Sequence, residues 1–302
     1  MFYNSIDTRD ANYAKRTYHN FSVEEQRLRT ERGVIVPDRK AIVRADNFEY
    51  LGTVGINWEP VQPEVLYDMA KELLRATDGS INGILNMYNG AVIGISFKLA
   101  ERQYVANDKI DLSFLMLTAF NGMYGLSGSA QAYRHITQSI STTSRHFYNL
   151  KHTKFIHNRI EVVKNMLKYY NQEITSFDAI MNRLVTKPMS NEMAIEWFRS
   201  LFPSPQSRRS ERILENSVIT YAGLLQAQRE AGIDGVSGTS YGAWCALTEY
   251  VNHHRTVRVH NGRDEEEVRF ESVNFGTGND LIQKGISKIT DFHFSEEEFI
   301  IH

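Results

Sequence analysis

Cysteine is nearly absent from this chain. Cys245 is the only one among 302 residues, which excludes an internal disulfide and points to a reducing compartment. The same count excludes a cysteine-rich zinc site, and no HExxH run replaces it. No apolar run approaches the ~18 residues that cross a bilayer, and Met1–Asp10 is polar, without the apolar centre of a signal peptide. A cytoplasmic protein without membrane attachment is therefore expected. Proline is scarce, with six residues, and Pro203-Ser204-Pro205 is the one plausible internal boundary. A net charge of -2 excludes a uniformly basic, histone-like protein, so any contact with nucleic acid must come from local segregation of charge.

The most informative absence is local. From Leu112 to Ile160 there is no Asp or Glu, although 36 acids in 302 residues would place about six there. The same stretch holds Arg134, Arg145, Lys151, Lys154 and Arg159, four histidines, and the aromatic residues Tyr133, Phe147 and Tyr148. Cations that neutralise phosphates, interleaved with rings that stack on bases, are what single-stranded nucleic acid requires. The five cations are expected to contact phosphates and the three rings to stack on bases. A solvated basic helix start beside a buried strand would give the same composition without any ligand. Arg208 and Arg209, with Arg212, open another helix, where the dipole disfavours cations and an anionic partner would relieve the conflict.

The remaining pattern predicts an α+β fold: an antiparallel sheet with a hairpin at 84–99 packed on helices, followed by a mainly helical second half. Residues 1–33 are read as an N-terminal arm with a helix at Val23–Glu31. Residues 34–290 are read as a single domain and 291–302 as an acidic tail. Asn89-Gly90 suits a type I′ turn, Ala130–Ile140 reads as one strand, and Val65 to Leu74 has helical spacing. Phe155, Ile156, Ile160, Val163, Met166, Leu167 and Tyr170 are expected on one side of a helix. Thr256–His260 and Val268–Val273 suggest a further hairpin around Asn261-Gly262.

Enzymatic signals are weak. Gly235 to Thr239 lacks the lysine of a P-loop, and Cys245 sits among apolar residues. Glu249 and His253, one helical turn apart and near His254 and His260, are the best metal candidates, yet three histidines around a helix end are more often surface or capping residues. No catalytic set, cofactor or metal is expected. Glu296-Glu297-Glu298 followed by Phe299-Ile300-Ile301 could bind a partner protein or compete with nucleic acid for a basic surface.

Three blocks carry a resemblance. They are Pro37 to Arg44 leading into Gly52-Thr53-Val54-Gly55 and Trp58-Glu59-Pro60-Val61-Gln62; Asp111 to Gly122 with Tyr133-Arg134-His135-Ile136; and Gly238-Thr239-Ser240-Tyr241-Gly242-Ala243-Trp244 running into Ala246 to Tyr250. Together they resemble the phage/plasmid-like protein family with the domain of unknown function numbered nine-three-two. Of the family's basic run only Arg134 carries over; Arg-His-Ile-Thr-Gln-Ser-Ile stands where the family has a Cys and an Asn. The order of elements is also similar to phage single-strand annealing proteins. These likenesses imply mobile DNA as the setting and DNA as the strand bound. They further imply annealing in recombination or replication, a homo-oligomeric ring or filament, and the host cytoplasm. A protein-interaction or host-defence-antagonist factor is the alternative, and a metal-dependent nucleic-acid enzyme a further one.

Overall fold

The computed structural model describes residues 3–105, 107–142, 147–167, 179–259 and 263–293. The chain divides into two compact units. The first comprises Met1–Glu101, Leu112–Ala130 and His146–Glu173, and the second comprises Arg102–Asp111, Gln131–Arg145 and Ile174–His302. The architecture is α+β, with antiparallel sheets in the first half and helices through the second.

In the first unit, β1 (Tyr3–Thr8) pairs antiparallel with β5 (Ser80–Met87), and β5 pairs with β6 (Val92–Val105). The β5–β6 turn places Asn89 at φ 56° and Gly90 at φ 91°, the two positive values a type I′ turn needs, and the Ala91 amide closes it on Tyr88 O at 3.1 Å. Strands β7 (Asp108–Ala119) and β8 (Leu126–Arg134) have residues in both units, while β9 (Ser139–Thr142) belongs to the second and β10 (Tyr148–Leu150) to the first; the sheet order is β1-β5-β6-β7-β8-β10, with β9 also on β8. Helix α1 (Ala11–Tyr18) is capped by Asp10, which accepts from the Asn12 and Tyr13 amides. Helix α2 (Pro63–Ala76) starts with proline at its first position and buries Leu66, Tyr67, Met69, Ala70, Leu73 and Leu74 along one face. Each such large side chain contributes about 1.5–3 kcal/mol by leaving water.

Val23–Arg29 is strand β2, not a helix. It pairs with β3 (Ile35–Arg44), which pairs in turn with β4 (Tyr50–Gly55). Val-Glu-Glu-Gln-Arg-Leu-Arg has helix-forming residues, but the cross-strand ladder to β3 overrides that weak local preference. Lys40 Nζ reinforces it by donating to Glu25 Oε1 at 2.6 Å.

The expected single strand at Ala130–Ile140 is two strands. After Arg134 the chain turns, with Gln138 at φ 50°, and β9 folds back so that Arg134 pairs with Ser139. In the second unit α4 (Asn191–Ser200), α5 (Arg208–Glu230) and α6 (Ser240–Glu249) pack through rings. Phe198 stacks on Tyr221 at 4.1 Å, and the Tyr221 hydroxyl donates to Ala243 O at 3.0 Å. Helix α6 is buried on every side from Ser240 to Thr248 and continues as a wider turn over Tyr250–His254. Glu265–Asn274 is helix α7, so the second expected hairpin does not form. Asp264 caps α7 by accepting from Glu266 and Glu267, and three glutamates in its first turn suit the positive end of the helix. Helix α8 (Thr277–His293) follows.

Candidate nucleic-acid interface and a buried arginine cluster

Arg134 lies at the end of β8 in the second unit, 4 % exposed. Its Nε donates to Oδ2 of the fully buried Asp108, at the start of β7. Its Nη1 donates to Gln228 Oε1 at 2.5 Å, and Gln228 Nε2 donates to Glu249 Oε2 at 2.5 Å. The Tyr241 hydroxyl donates to the same Asp108 oxygen at 3.0 Å. Burial alone would lower the Arg134 pKa, but the hydrogen-bonded Asp108 carboxylate acts against it and the value is raised, so the guanidinium stays charged. Burial pushes the Cys245 thiol up to about 12, which leaves it protonated and unreactive at neutral pH.

This cluster is structural in geometry. The space beside it, lined by Arg134, Ser139, Ser141, Trp244 and Thr248, is about 10 Å³, room for about one water and no substrate. The tight spacing of the Gly-Thr-Ser-Tyr-Gly block has a visible cause: a Cβ on Gly242 would lie 2.0 Å from Val236 O. Arg134 is consequently corrected as a phosphate contact, because its charge is enclosed and already neutralised by Asp108. Tyr133, beside it, is half-buried and meets His135 edge-on at 5.2 Å.

The first unit holds a different arrangement. Lys151, Lys154 and Arg159 are all exposed around the start of α3 (Ile156–Met166), and none has a carboxylate partner among the described residues. The helix has no side-chain cap and no acid in its first turn. Its first amides and its positive dipole end therefore face a region of positive charge, an arrangement that favours an anion. Phe155, the residue before the helix, is 60 % exposed. Val162 and Met166 are exposed on the same side, while Ile156, Ile160, Val163 and Leu167 are buried. The expected apolar face is thus narrower than the sequence suggested, and Phe155 and Met166 lie outside it; Tyr170 lies outside the described residues.

The other aromatic expectations divide. Tyr148 is 5 % exposed and packs over Gly128, where a Cβ would meet its ring at 2.2 Å. It cannot stack on a base in this fold and is corrected. Phe147 is half-buried, edge-on to Phe114 at 5.7 Å. His152 is buried, with Trp58 stacked on its ring at 4.4 Å. Its Nδ1 donates to Glu59 O at 2.9 Å, so Nε2 accepts from the Thr118 hydroxyl at 3.3 Å. Burial lowers the His152 pKa, which removes it from the set of cations near neutral pH. Arg145 lies outside the described residues.

Arg208, Arg209 and Arg212 are exposed at the start of α5 in the second unit, and none is paired with a carboxylate among the described residues. The Ser207 hydroxyl caps this helix by accepting from the Ser210 amide at 3.2 Å. The histidine group does not assemble a metal site among the described residues. His253 Nε2 is bonded to Thr137 O at 2.9 Å, Glu249 is engaged by Gln228, and His260 lies outside the described residues.

The family model for a domain of unknown function, DUF932, matches residues 50–274. This chain belongs to that family. No curated protein and no solved structure matches it. The DUF932 match spans Arg134, Tyr241 and Glu249 of the buried cluster as well as both exposed cationic groups. No helix among the described residues is long and apolar enough to cross a membrane.

Proposed function

We propose that this DUF932 protein binds single-stranded nucleic acid, with DNA of phage or plasmid origin as the substrate. Annealing of complementary strands in recombination or replication is the activity that binding would serve. The observation that carries the reading is the start of α3. There, unpaired Lys151, Lys154 and Arg159 surround an uncapped helix end beside an exposed Phe155 ring. Cations hold the phosphates there, and Phe155 offers a face on which a base can stack without sequence preference. No bond is made or broken, so the reading needs neither a cofactor nor a catalytic group. Strand annealing requires only that phosphates are held and base edges stay free. A ring or filament of copies in the host cytoplasm would extend the same surface along a strand.

The test is fluorescence anisotropy of a labelled single-stranded oligonucleotide, titrated with the full chain at two salt concentrations. Affinity that falls steeply with salt supports the reading. No binding at low salt overturns it and favours a protein partner instead.

A further inference from the structure

Helix α5 carries a second feature that nucleic-acid binding at α3 does not use. Successive helical positions differ by about 100°, which puts Arg208, Arg212, Ile219, Asn216, Arg209 and Ile213 within one arc of about 140°. All six residues are exposed, Ile213 to 57 % and Ile219 to 69 %, and the three arginines have no carboxylate partner among the described residues. Glu215 lies off the arc, and its charge is satisfied by a two-pronged pair with Arg199, one arm at 2.9 Å. The face is therefore cationic at its N-terminal end and apolar beyond.

We infer that the segment Ser295–His302 of the same chain docks on this face, with Glu296, Glu297 and Glu298 on the arginines and Phe299, Ile300 and Ile301 over Ile213 and Ile219. The segment lies outside the described residues, and three arguments select it. Charge is complementary, three acids against three arginines that stand at a helix end where the dipole disfavours cations. Spacing is complementary too. The arginines and isoleucines are centred about 9 Å apart along the helix, and the glutamates and the apolar trio about 10 Å apart along an extended chain. The two run in the same direction, acids to arginines first and apolar to apolar after. Reach is sufficient. Lys288 Nζ of α8 donates to Ser200 O at 2.9 Å, and the adjacent Arg199 is clamped to Glu215 in α5. Helix α8 is thus joined through α4 to α5, five residues before it ends at His293. The nine residues 294–302 can span about 30 Å. Docking would occupy the arginines with carboxylates and withhold them from other anions until the segment is displaced.

The full chain carrying Asn216→Cys and Ile300→Cys tests this by disulfide formation under mild oxidation. Cys245, buried with a raised pKa, stays out of the reaction. The expected result is a disulfide within one chain, forming roughly ten-fold faster or more than in a control carrying Glu196→Cys and Ile300→Cys. Reversing the arginines (Arg208→Glu, Arg209→Glu, Arg212→Glu) should slow it several-fold, and adding Glu296→Lys, Glu297→Lys and Glu298→Lys should restore it. A rate no faster than the control overturns the inference. So does a cross-link found only between two chains, which would assign the face to a second copy. None of these readouts involves nucleic acid, so failure here and failure at α3 are distinguishable.

Discussion

Arg134 and Asp108 hold each other in an interior that leaves the arginine 4 % exposed and the aspartate wholly covered. The arginine donates through Nε, and Tyr241 donates to the same carboxylate oxygen at 3.0 Å. Removing one charge strands the other. Asp108→Asn or Arg134→Met should therefore destabilise the chain by about 3–5 kcal/mol in urea denaturation. Replacing the set with apolar groups (Arg134→Met, Asp108→Leu, Tyr241→Phe) should cost less than either single change. A triple variant worse than both would contradict this account of the cluster.

The surface at α3 should respond differently. Phe155→Ala exposes nothing that was buried, so the thermal midpoint should stay put while oligonucleotide affinity falls by about 1–3 kcal/mol, the worth of one stacked base. Lys151→Ala with Lys154→Ala should flatten the dependence of log affinity on log salt by roughly 0.7 per lost phosphate contact. Anisotropy titrations at three salt concentrations read both effects. An unchanged slope would remove these lysines from the interface.

Tyr148 gives a cheaper discrimination. Its hydroxyl is buried without a hydrogen-bond partner among the described residues, and burial raises its pKa. Tyr148→Phe should therefore leave stability unchanged or raise it by up to about 1 kcal/mol. It should not alter affinity for an oligonucleotide. A marked loss of binding would mean that the ring reaches the ligand after all.

Acid should weaken the first unit through His19. This side chain is fully buried, with Nδ1 hydrogen-bonded to the Tyr67 hydroxyl at 2.8 Å. Burial holds its pKa at about 4 against an ordinary 6.5. Between those values the unfolded chain binds a proton and the folded chain does not. Stability is thus full above about pH 6.5 and declines as pH falls toward 4, by on the order of 3 kcal/mol from this residue. His152, also depressed by burial, acts in the same direction. Urea midpoints measured from pH 7 to pH 4 should fall, and His19→Gln should flatten part of that slope.

Much of the architecture was legible in the residues. Asn89-Gly90 specified its turn because few other pairs tolerate two positive φ values, and Pro63 with the Leu66-to-Leu74 spacing specified α2. The errors share a cause. Val23–Arg29 and Thr256–Val273 have local preferences that distant partners or a cap overrode: β3 in the first case and Asp264 in the second. At the candidate site, the missing acids between Leu112 and Ile160 drew attention to a stretch whose Lys151, Lys154 and Arg159 are exposed. They could not reveal that Arg134 finds its counter-charge at Asp108, four residues before that stretch begins. Composition also could not separate Tyr148, seated over Gly128, from the exposed Phe155. A signal for that was present, since glycine inside a strand marks the close approach of a ring.

The buried cluster also sets an order of events in the life of the chain. Asp108 and Tyr241 are 133 residues apart, and Gln228 reaches Arg134 across 94. A ribosome that has released β7 and β8 has delivered the acid and the arginine but not the tyrosine, the amide or helix α6. Until Glu249 emerges, the polar core of the second unit has no completed set of partners, and the strands carrying it stay open to solvent and to chaperones. Fragments ending before Gly242 should accordingly be degraded or aggregate in cells, whatever the quality of their N-terminal elements.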